Sequence, residues 1–289
     1  MEIMKTGKLN VAIMGAAGKI GQRIIQNLSK KEEKYNLLFC EKGEAGIANL
    51  QKMGFNNSDT EDIIPRSEFI IMAVPDDKIK EVSDFLAPLM KKDTIMIILD
   101  AAAPYLGEVN IRKDCNYIVT HPCHPPLFGE QDTIEAYKDH WGGMAKQDIV
   151  MALFHGEEDS FLSAEQVCKD MFAPVVKSHR ITVEQLALLE PAMAEVIVAT
   201  GTRIFKEALD EVIRLGVPEE AARSFILGHI SAPLANIFGT MKGGTFSDGC
   251  LIAMDIGQGY LIKPNWKDIF KAEVLTEIVK KMIHPEKDV

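Results

Sequence analysis

The sequence predicts an α/β protein in which a doubly wound parallel sheet is followed by an all-helical C-terminal domain. Three observations support this prediction. In the first 150 residues, short β-rich runs alternate with helical patterns, as they do in βαβ units. Most of these runs are apolar on both faces, which is typical of strands that helices cover from both sides. After about residue 150 the strand signals stop and helical periodicity continues alone.

The individual elements follow in this order along the chain. Strands are predicted at residues 9–14, 35–40, 69–74, 94–99 and 117–120. Helices are predicted at residues 19–31, 46–53, 78–90, 163–171, 183–215, 218–241 and 266–282. The helix over 183–215 is expected to end at Gly216, before Pro218, because glycine and proline commonly follow a helix C-terminus. We therefore predict two domains, residues 1–150 and 151–289, which is an ordinary number for this length.

Composition excludes several classes of protein. Hydrophobic residues make up 47% and charged residues 26% of the 289 residues, as in soluble globular proteins. The net charge of −10 disfavours binding to nucleic acid and to acidic membrane surfaces, both of which need a basic surplus. No apolar run approaches the ~20 residues of a membrane span. The five cysteines are scattered and odd in number, which indicates reduced thiols in a cytoplasmic protein.

A glycine-rich turn follows the first predicted strand and opens the first helix. It consists of Gly15, Ala16, Ala17, Gly18, Lys19, Ile20 and Gly21. Small residues at such a turn let the backbone approach a pyrophosphate, whose charge meets the unpaired N–H groups of the helix N-terminus. Ala17 stands where the usual fingerprint has its second glycine. The pattern predicts a Rossmann-type dinucleotide site; the alternative is a tight turn that binds no ligand.

Glu41 lies at the end of the second predicted strand, about 20 residues after the turn, where dinucleotide-binding folds place an acidic residue. A carboxylate there accepts hydrogen bonds from both ribose hydroxyls and repels a 2′-phosphate, which favours NAD over NADP. The alternative for Glu41 is a solvated charge at the strand end. Val74 and Pro75 follow the third strand, where the loop runs beside the nicotinamide half of the cofactor.

A proline-rich segment, Thr120-His121-Pro122-Cys123-His124-Pro125-Pro126, follows the last strand of the first domain. We expect its prolines to prevent both helix formation and strand pairing, so that the backbone is extended and stiff. His121 and His124 would then be fixed at the carboxyl edge of the sheet, where ligands bind in open α/β folds. An imidazole there can ligate a metal or move a proton. The alternative is a rigid connector.

Glu190 is the second candidate for chemistry, within Leu189-Glu190-Pro191-Ala192 of the long helix. Helical spacing places it on an apolar face with Ala187, Ala194 and Ile197, where a carboxylate needs a cation, a metal or a donor. A kink is expected beside it, at Pro191. His121 and Glu190 together could hold one divalent ion, for which Zn²⁺ is favoured over Mg²⁺. The alternative is an acidic residue paired with a neighbouring helix.

With these motifs, the chain resembles the D-apionate oxidoisomerase group, which carries a phosphogluconate dehydrogenase C-terminal domain within the 3-hydroxyacid dehydrogenase superfamily. The glycine turn is generic, whereas the histidine–proline segment and the segment around Glu190 are specific. Further matching stretches are Arg180–Gln185, Phe246–Gly249 and Pro264–Lys267. The resemblance covers both domains.

The resemblance implies an NAD-linked enzyme that oxidises a branched sugar acid and rearranges its carbon skeleton, with a helical second domain that builds a homodimer. It also implies metal ligation by His121 and Glu190. Many dehydrogenases of the wider superfamily have a catalytic lysine where this chain has Glu190, so we do not expect simple lysine-assisted chemistry. A bound metal can instead polarise the reacting oxygen.

Two alternatives remain open from the sequence. One is a metal-free NAD-dependent dehydrogenase of a hydroxyacid or a phosphorylated sugar acid, and the other is an NAD-binding regulator without catalysis. For the substrate carboxylate the sequence offers Lys146, Arg203 and Lys206, although helical cations are usually only solvated charges. His124 is a reserve general base.

Overall fold

A seven-stranded sheet forms the centre of the first part of the chain in the computed structural model, which describes residues 7–285. The strands are β1 (Leu9–Met14), β2 (Tyr35–Cys40), β3 (Phe69–Met72), β4 (Ile95–Ile98), β5 (Asn116–Pro122), β6 (Gln147–His155) and β7 (Val175–Arg180). Their order is β2-β1-β3-β4-β5-β6-β7. All neighbours are parallel except β5 and β6. The predicted α/β fold class is thus confirmed.

Helices cover this sheet because its central strands are apolar on both faces. The residues of β3 and β4 are all buried, and Ile13, Ile71 and Ile97 are fully inaccessible to solvent. The helices are α1 (Lys19–Leu28), α2 (Glu44–Lys52), α3 (Thr60–Ile63), α4 (Ile79–Leu86), α5 (Ala102–Tyr105), α6 (Ile134–Tyr137), α7 (Glu158–Met171) and α8 (Val183–Ala187). Short 3₁₀ turns lie at Ser29–Lys31, Ile64–Arg66, Asp76–Lys78 and Ala87–Leu89.

The sheet extends further along the chain than the sequence predicts. The expected end of strand signals near residue 150 falls inside β6, and β7 follows it. The pattern of β7 is weak because it is an edge strand whose outer residues, such as Lys177 and Arg180, are exposed and polar. By their contacts, the described residues form two compact units, the first made of residues 7–187 with 278–285 and the second of residues 188–277.

The second unit consists of helices, as predicted. A π-helical stretch (Leu188–Ala199) continues from α8 and leads into α9 (Thr200–Arg214). The remaining elements are α10 (Glu219–Ile237), α11 (Asp248–Leu261), a 3₁₀ turn (Trp266–Phe270) and α12 (Ala272–Ile283), whose last residues belong to the first unit. The predicted stop after the long helix is confirmed, since Gly216 has a φ of 100° two residues after α9.

Pro191 lies inside a π-helical stretch, and the kink expected beside it stays a prediction. Proline has no N–H to donate, and here the surrounding turns adopt π-helical pairing. The longer repeat breaks the apolar face predicted from α-helical spacing: Ala187 is buried, whereas Ala194 is exposed. No helix within residues 7–285 has both the length and the apolar character needed to cross a membrane.

Candidate active site

The glycine turn between β1 and α1 packs against the end of β3. Gly15 has a φ of 73°, and a Cβ atom on it would lie 2.3 Å from the carbonyl oxygen of Ala73 and 3.3 Å from Cγ1 of Val74. A Cβ atom on Gly21 would lie 2.4 Å from the Gly15 carbonyl oxygen. Gly15 is therefore required for its left-handed backbone, and Gly21 for the close approach of helix and turn. Pro75 follows Val74 and is exposed.

The N-terminus of α1 offers backbone N–H groups to an anion. Gly18 caps the helix without a side-chain hydrogen bond, Lys19 and Ile20 form the first turn, and no acidic side chain lies in that turn. The N–H of Ala17 donates to a carboxylate oxygen of Glu41, with an N–O distance of 2.5 Å. The turn therefore already binds one anionic oxygen, which is the chemistry that a pyrophosphate presents.

Glu41 is held beside this turn by two residues that the sequence analysis missed. Its backbone N–H donates to Oδ1 of Asn57 at 2.7 Å, and Nδ2 of Asn57 donates to the Glu41 carbonyl oxygen at 3.2 Å. A Cβ atom on Gly46 would lie 2.5 Å from Oε2 of Glu41, so glycine leaves room for the carboxylate. No motif identifies Asn57 or Gly46, because both act only through the fold around Glu41.

Three ionisable side chains lie at or just beyond the carboxyl ends of β3, β4 and β5. The parallel register of β4 and β5 places Asp100 level with His121, and Asp76 lies just beyond the end of β3. The pKa of Asp76 is raised to about 7, first by the partial burial of its carboxyl group and next by the charge of Asp100, whereas His121 opposes the shift. The sequence analysis missed both aspartates. Their positions, within two or three residues of predicted strands, were the signal that could have identified them.

The strand β5 includes the first histidine and proline of the proline-rich segment, so the expectation that this segment would not pair is wrong. His121 is paired with Val150 and Pro122 with Ile149 of β6. The N–H of Cys123 donates to β6, at 2.9 Å from the Asp148 carbonyl oxygen. Successive residues of a strand direct their backbone nitrogens to opposite sides, so the Pro122 nitrogen points away from β6, toward the side of β4. Because β4 ends before this level, the missing N–H of Pro122 costs no hydrogen bond between strands.

His121 and His124 lie close to each other at this edge. Their ring centroids are 5.8 Å apart. Nδ1 of His121 is 2.9 Å from the Pro122 carbonyl oxygen, and Nδ1 of His124 is 3.1 Å from that of Trp141. A neutral imidazole that donates from Nδ1 has its lone pair on Nε2. Burial lowers the pKa of His124 and outweighs the hydrogen bond to the Trp141 carbonyl oxygen, which acts to raise it, so the neutral imidazole is favoured.

Cys123, between the two histidines, is unsuited to nucleophilic or ligand chemistry. Burial of its thiol raises its pKa to about 11, and the nearby carboxylate of Asp148 adds to the shift. A thiol with this pKa is protonated at neutral pH, whereas the thiolate is the reactive form.

Glu190 lies in the π-helical stretch of the second unit and is half-buried. It is followed by Pro191 and Ala192, which are both buried. The three candidates for a substrate carboxylate each form a local ion pair instead: Lys146 with Asp132, Arg203 with Glu207, and Lys206 with Asp210. Within residues 7–285, no three His, Cys, Asp or Glu side chains are grouped so that they could hold a metal ion.

Comparisons with known proteins match both parts of the chain. The family model for the phosphogluconate dehydrogenase (decarboxylating) C-terminal domain matches residues 129–283. The model for coenzyme F420-dependent NADP oxidoreductases matches residues 10–104. The sequence is 41% identical to a D-apionate oxidoisomerase of Blautia hydrogenotrophica, over 97% of this chain and 99% of that protein. It is 38% identical to a D-apionate oxidoisomerase of Rhizobium rhizogenes, over 94% of this chain and 98% of that protein.

A solved structure from Cupriavidus necator is also similar. It is described as a semialdehyde dehydrogenase NAD-binding protein in complex with calcium and NAD. It is 39% identical to this chain, superimposes with a TM-score of 0.91, and the match covers 96% of this chain and all of that one. The identity to characterised relatives extends over nearly the whole chain, and the fold and the glycine turn agree with it. The chain therefore belongs to the D-apionate oxidoisomerase family of oxidoreductases.

Proposed function

We propose that this enzyme oxidises a small branched sugar acid of the D-apionate type with NAD and rearranges its carbon skeleton. The observation that supports this most directly is the shared sheet edge. The glycine turn with Glu41 lies at the carboxyl ends of β1 and β2, and the group of Asp76, Asp100 and His121 lies at those of β3, β4 and β5, which are parallel strands of the same sheet. A dinucleotide site beside titratable groups is what hydride transfer from a hydroxyl carbon requires. The names of the relatives supply the substrate class.

The cofactor part of this proposal assigns roles to the residues of the turn. Gly15, Ala17, Gly18, Lys19, Ile20 and Gly21 would surround the pyrophosphate. Glu41 would accept the ribose hydroxyls, and Val74 and Pro75 would border the nicotinamide half. The bond from the Ala17 N–H to Glu41 supports this assignment, because a donor that binds an anionic oxygen then lies next to the carboxylate proposed for the ribose. When bound, NAD accepts the hydride of the substrate.

His121 is the proposed acceptor of the hydroxyl proton. With Nδ1 directed at the Pro122 carbonyl oxygen, Nε2 carries the lone pair that can take that proton. The protonated ring would then lie near Asp76, whose interaction with His121 favours the charged forms of both groups. His124, neutral and close to His121, is the proposed second base.

A divalent cation held by His121 and Glu190 remains part of the proposal. The hydrogen bond at Nδ1 of His121 fits a ligand that coordinates through Nε2. While Nε2 holds the ion it cannot accept a proton, so in that state the hydroxyl proton would pass to His124. Two protein ligands are fewer than the three that catalytic zinc sites use, and among the described residues no group of three candidate ligands is found. We therefore expect an exchangeable ion that EDTA removes. A divalent ion would supply polarisation of the substrate oxygen.

A homodimer is proposed from the second unit. Its helices expose large apolar side chains on α10 and α11: Phe225, Leu227, Ile237, Phe238, Leu251, Ile252, Met254, Ile256, Tyr260 and Leu261. Monomeric soluble proteins seldom expose contiguous apolar surface of this kind. A second copy of the same helices matches this surface in chemistry, and a two-fold interface is the commonest form of assembly. The cytoplasmic location that we also propose is in keeping with five free cysteines.

The test is NADH formation with D-apionate and related aldonates, with and without EDTA, followed by identification of the product. We expect turnover with D-apionate and a rearranged carbon skeleton. An unrearranged product would contradict the isomerase part and leave the dehydrogenase part standing. Turnover that EDTA leaves unchanged would favour the metal-free dehydrogenase. Tight NAD binding without turnover of any sugar acid would favour the regulator.

Zinc, calcium and other divalent ions should be measured directly in the purified protein and in Glu190→Gln. We expect a bound divalent ion in the unaltered enzyme and at least tenfold weaker retention in the variant, about 1.4 kcal/mol. Equal retention in both proteins would remove Glu190 from the metal site.

A further inference from the structure

Arg23 is a buried cation with one edge of its guanidinium unused. It lies on α1 and is only 6% exposed, with its guanidinium 5.4 Å from the ring centroid of Phe172. Nη1 donates to the Trp141 carbonyl oxygen at 2.7 Å. Nε and Nη2, which form the other edge, are buried and have no hydrogen-bond partner among the described residues. Buried donors of a charged group are normally satisfied, so this edge needs an explanation.

The charge of Arg23 is poorly compensated within the protein. Burial lowers its pKa, and only Asp139 opposes the shift. The carboxylate of Asp139 is already used by its own loop, where it accepts backbone N–H bonds from Gly142, Met144 and Ala145 at 2.8–3.0 Å. Arg23 forms no ion pair with the rest of the described chain. The site therefore favours an anion that comes from outside the protein.

A groove beside α1 provides the place for such an anion. It has a volume of about 450 Å³ and is lined by Lys19, Gln22, Arg23, Gln26, Trp141 and Gly142. The first four residues share one face of the helix, because they are spaced by three or four positions. Two cations and two amides thus face the groove, and none of its lining residues is acidic.

We propose that this groove binds the carboxylate of the sugar acid, with the Nε and Nη2 edge of Arg23 as its bidentate partner. The planar guanidinium edge matches the two oxygens of a carboxylate. Lys19 supplies a second positive charge. The proposal rests on the proposed function, since it assigns the anionic end of that substrate class.

The position of Arg23 links the groove to the proposed catalytic histidines. The Trp141 carbonyl oxygen that accepts from Arg23 also lies 3.1 Å from Nδ1 of His124. His124 in turn lies 5.8 Å, between ring centroids, from His121. A pyrophosphate has similar anionic chemistry, but its donors are the N–H groups at the start of α1, one turn before Arg23. The proximity to His124 therefore favours the substrate carboxylate.

The loop over Arg23 has to move for the carboxylate to reach this edge. A Cβ atom on Gly142 would lie 2.3 Å from Nη2, so the backbone of Gly142 covers it. Gly142 and Gly143 both have positive φ values, 96° and 132°. Two adjacent glycines give this segment the conformational freedom that such a movement requires.

Trp141 allows the groove to be tested without turnover. The chain has two tryptophans, so Trp266→Phe leaves Trp141 as the single tryptophan, which can be excited selectively at wavelengths that tyrosine does not absorb. The full-length variant is titrated with D-apionate, with D-gluconate and, separately, with NADH. We expect a saturable change in Trp141 emission with D-apionate. Arg23→Gln should weaken that binding about 30-fold or more, as for loss of one partner of a buried charge pair.

Controls separate binding from folding and from cofactor effects. Arg66→Gln removes an exposed arginine of the same unit and should leave binding unchanged. Arg23→Lys keeps the charge but loses the bidentate edge, so it should weaken D-apionate binding while the protein stays folded, as checked by thermal unfolding. NADH binding should change less than twofold in either Arg23 variant.

Several outcomes would overturn this proposal. They are equal D-apionate affinity in Arg23→Lys and the parent protein, an equal loss of NADH and aldonate affinity, and no response of Trp141 to any aldonate. If D-gluconate binds through Arg23 but D-apionate neither binds nor turns over, the groove stands and the proposed substrate fails.

Discussion

Glu41 is the side chain on which the choice of nicotinamide cofactor should depend. Its carboxylate lies against the glycine turn through the Ala17 N–H. Glu41→Ala removes an acceptor for the ribose hydroxyls, and a hydrogen bond to a charged group contributes about 1.5–3 kcal/mol. We expect the KM for NAD to rise at least tenfold, with a smaller change for NADP. Glu44→Ala, on exposed α2 nearby, is the control. An unchanged NAD-to-NADP ratio of kcat/KM would contradict the assignment.

Asp76 should make the stability of the protein depend on pH in a direction unusual for a carboxyl group. Its pKa is raised from 3.8 to about 7, by burial first and by Asp100 next. Between these values the native protein keeps a proton that the unfolded chain has lost, so stability falls as pH rises through this window. Asp76→Asn should remove this loss. Urea unfolding at pH 5 and pH 8 measures the free energy of unfolding of both proteins. An equal effect of the substitution at the two pH values would contradict the raised pKa of Asp76.

The residues that sequence alone identified are those that a local motif marks. Gly15, Gly21 and Glu41 follow from the spacing of a strand, a turn and a second strand. The pKa of Asp76 depends on burial by the surrounding fold, on Asp100 just after β4 and on His121 of β5, all of which are distant from it in sequence. In the sequence Arg23 looks like an ordinary surface cation of a helix. Its burial depends on contacts with Phe172 and with the loop at Trp141, which lie far along the chain. Such contacts between distant segments leave no local signal in the sequence.

A buried carboxylate near the end of α7, Asp170, binds the segment after α1 and the start of β2. Asp170 is 3% exposed and accepts from Nζ of Lys31 and from the hydroxyl of Tyr35, both at 2.7 Å. Burial acts to raise its pKa, but these two partners outweigh burial and lower it. Asp170→Ala leaves both donors without their acceptor and should cost about 3 kcal/mol in the free energy of unfolding.

Chemical denaturation at pH 7 measures this loss. The control is Asp84→Ala, which removes an exposed partner of Lys80 on α4 and should leave the midpoint unchanged. The difference between Asp170→Ala and the unaltered protein should shrink in acid, as the pH falls through the lowered pKa of Asp170. A loss no larger than that of the control would show that the pairing contributes little.

The bounds of helices and strands were predicted correctly where the hydrophobic pattern ends at a glycine, proline or charged residue. The strands β1 and β2 match their predicted bounds, because apolar residues fill them and glycine or charged residues follow. β7 was missed because an edge strand alternates weakly. The π-helical stretch could not be foreseen, since Pro191 indicates a disturbed helix but not which hydrogen-bond pattern replaces it.

For the whole molecule, the second unit should determine the assembly state. The helix α11 has no buried residue, although most of its side chains are apolar, which supports the proposed packing against a second copy of the chain. We expect a dimer of twice the 32.0 kDa chain mass. Ile252→Arg places a charge on this helix, and desolvating it in an apolar interface is costly. Light scattering after size exclusion should show dissociation to 32.0 kDa.

The matched control is Leu162→Arg on α7, where an equally large exposed apolar residue belongs to the first unit. It should remain dimeric, because a single exposed leucine on a packed surface helix needs no partner. If Ile252→Arg stays dimeric while Leu162→Arg dissociates, the interface lies on the first unit. If the unaltered enzyme is a monomer at micromolar concentration, the exposed helices are covered in some other way and the dimer proposal fails.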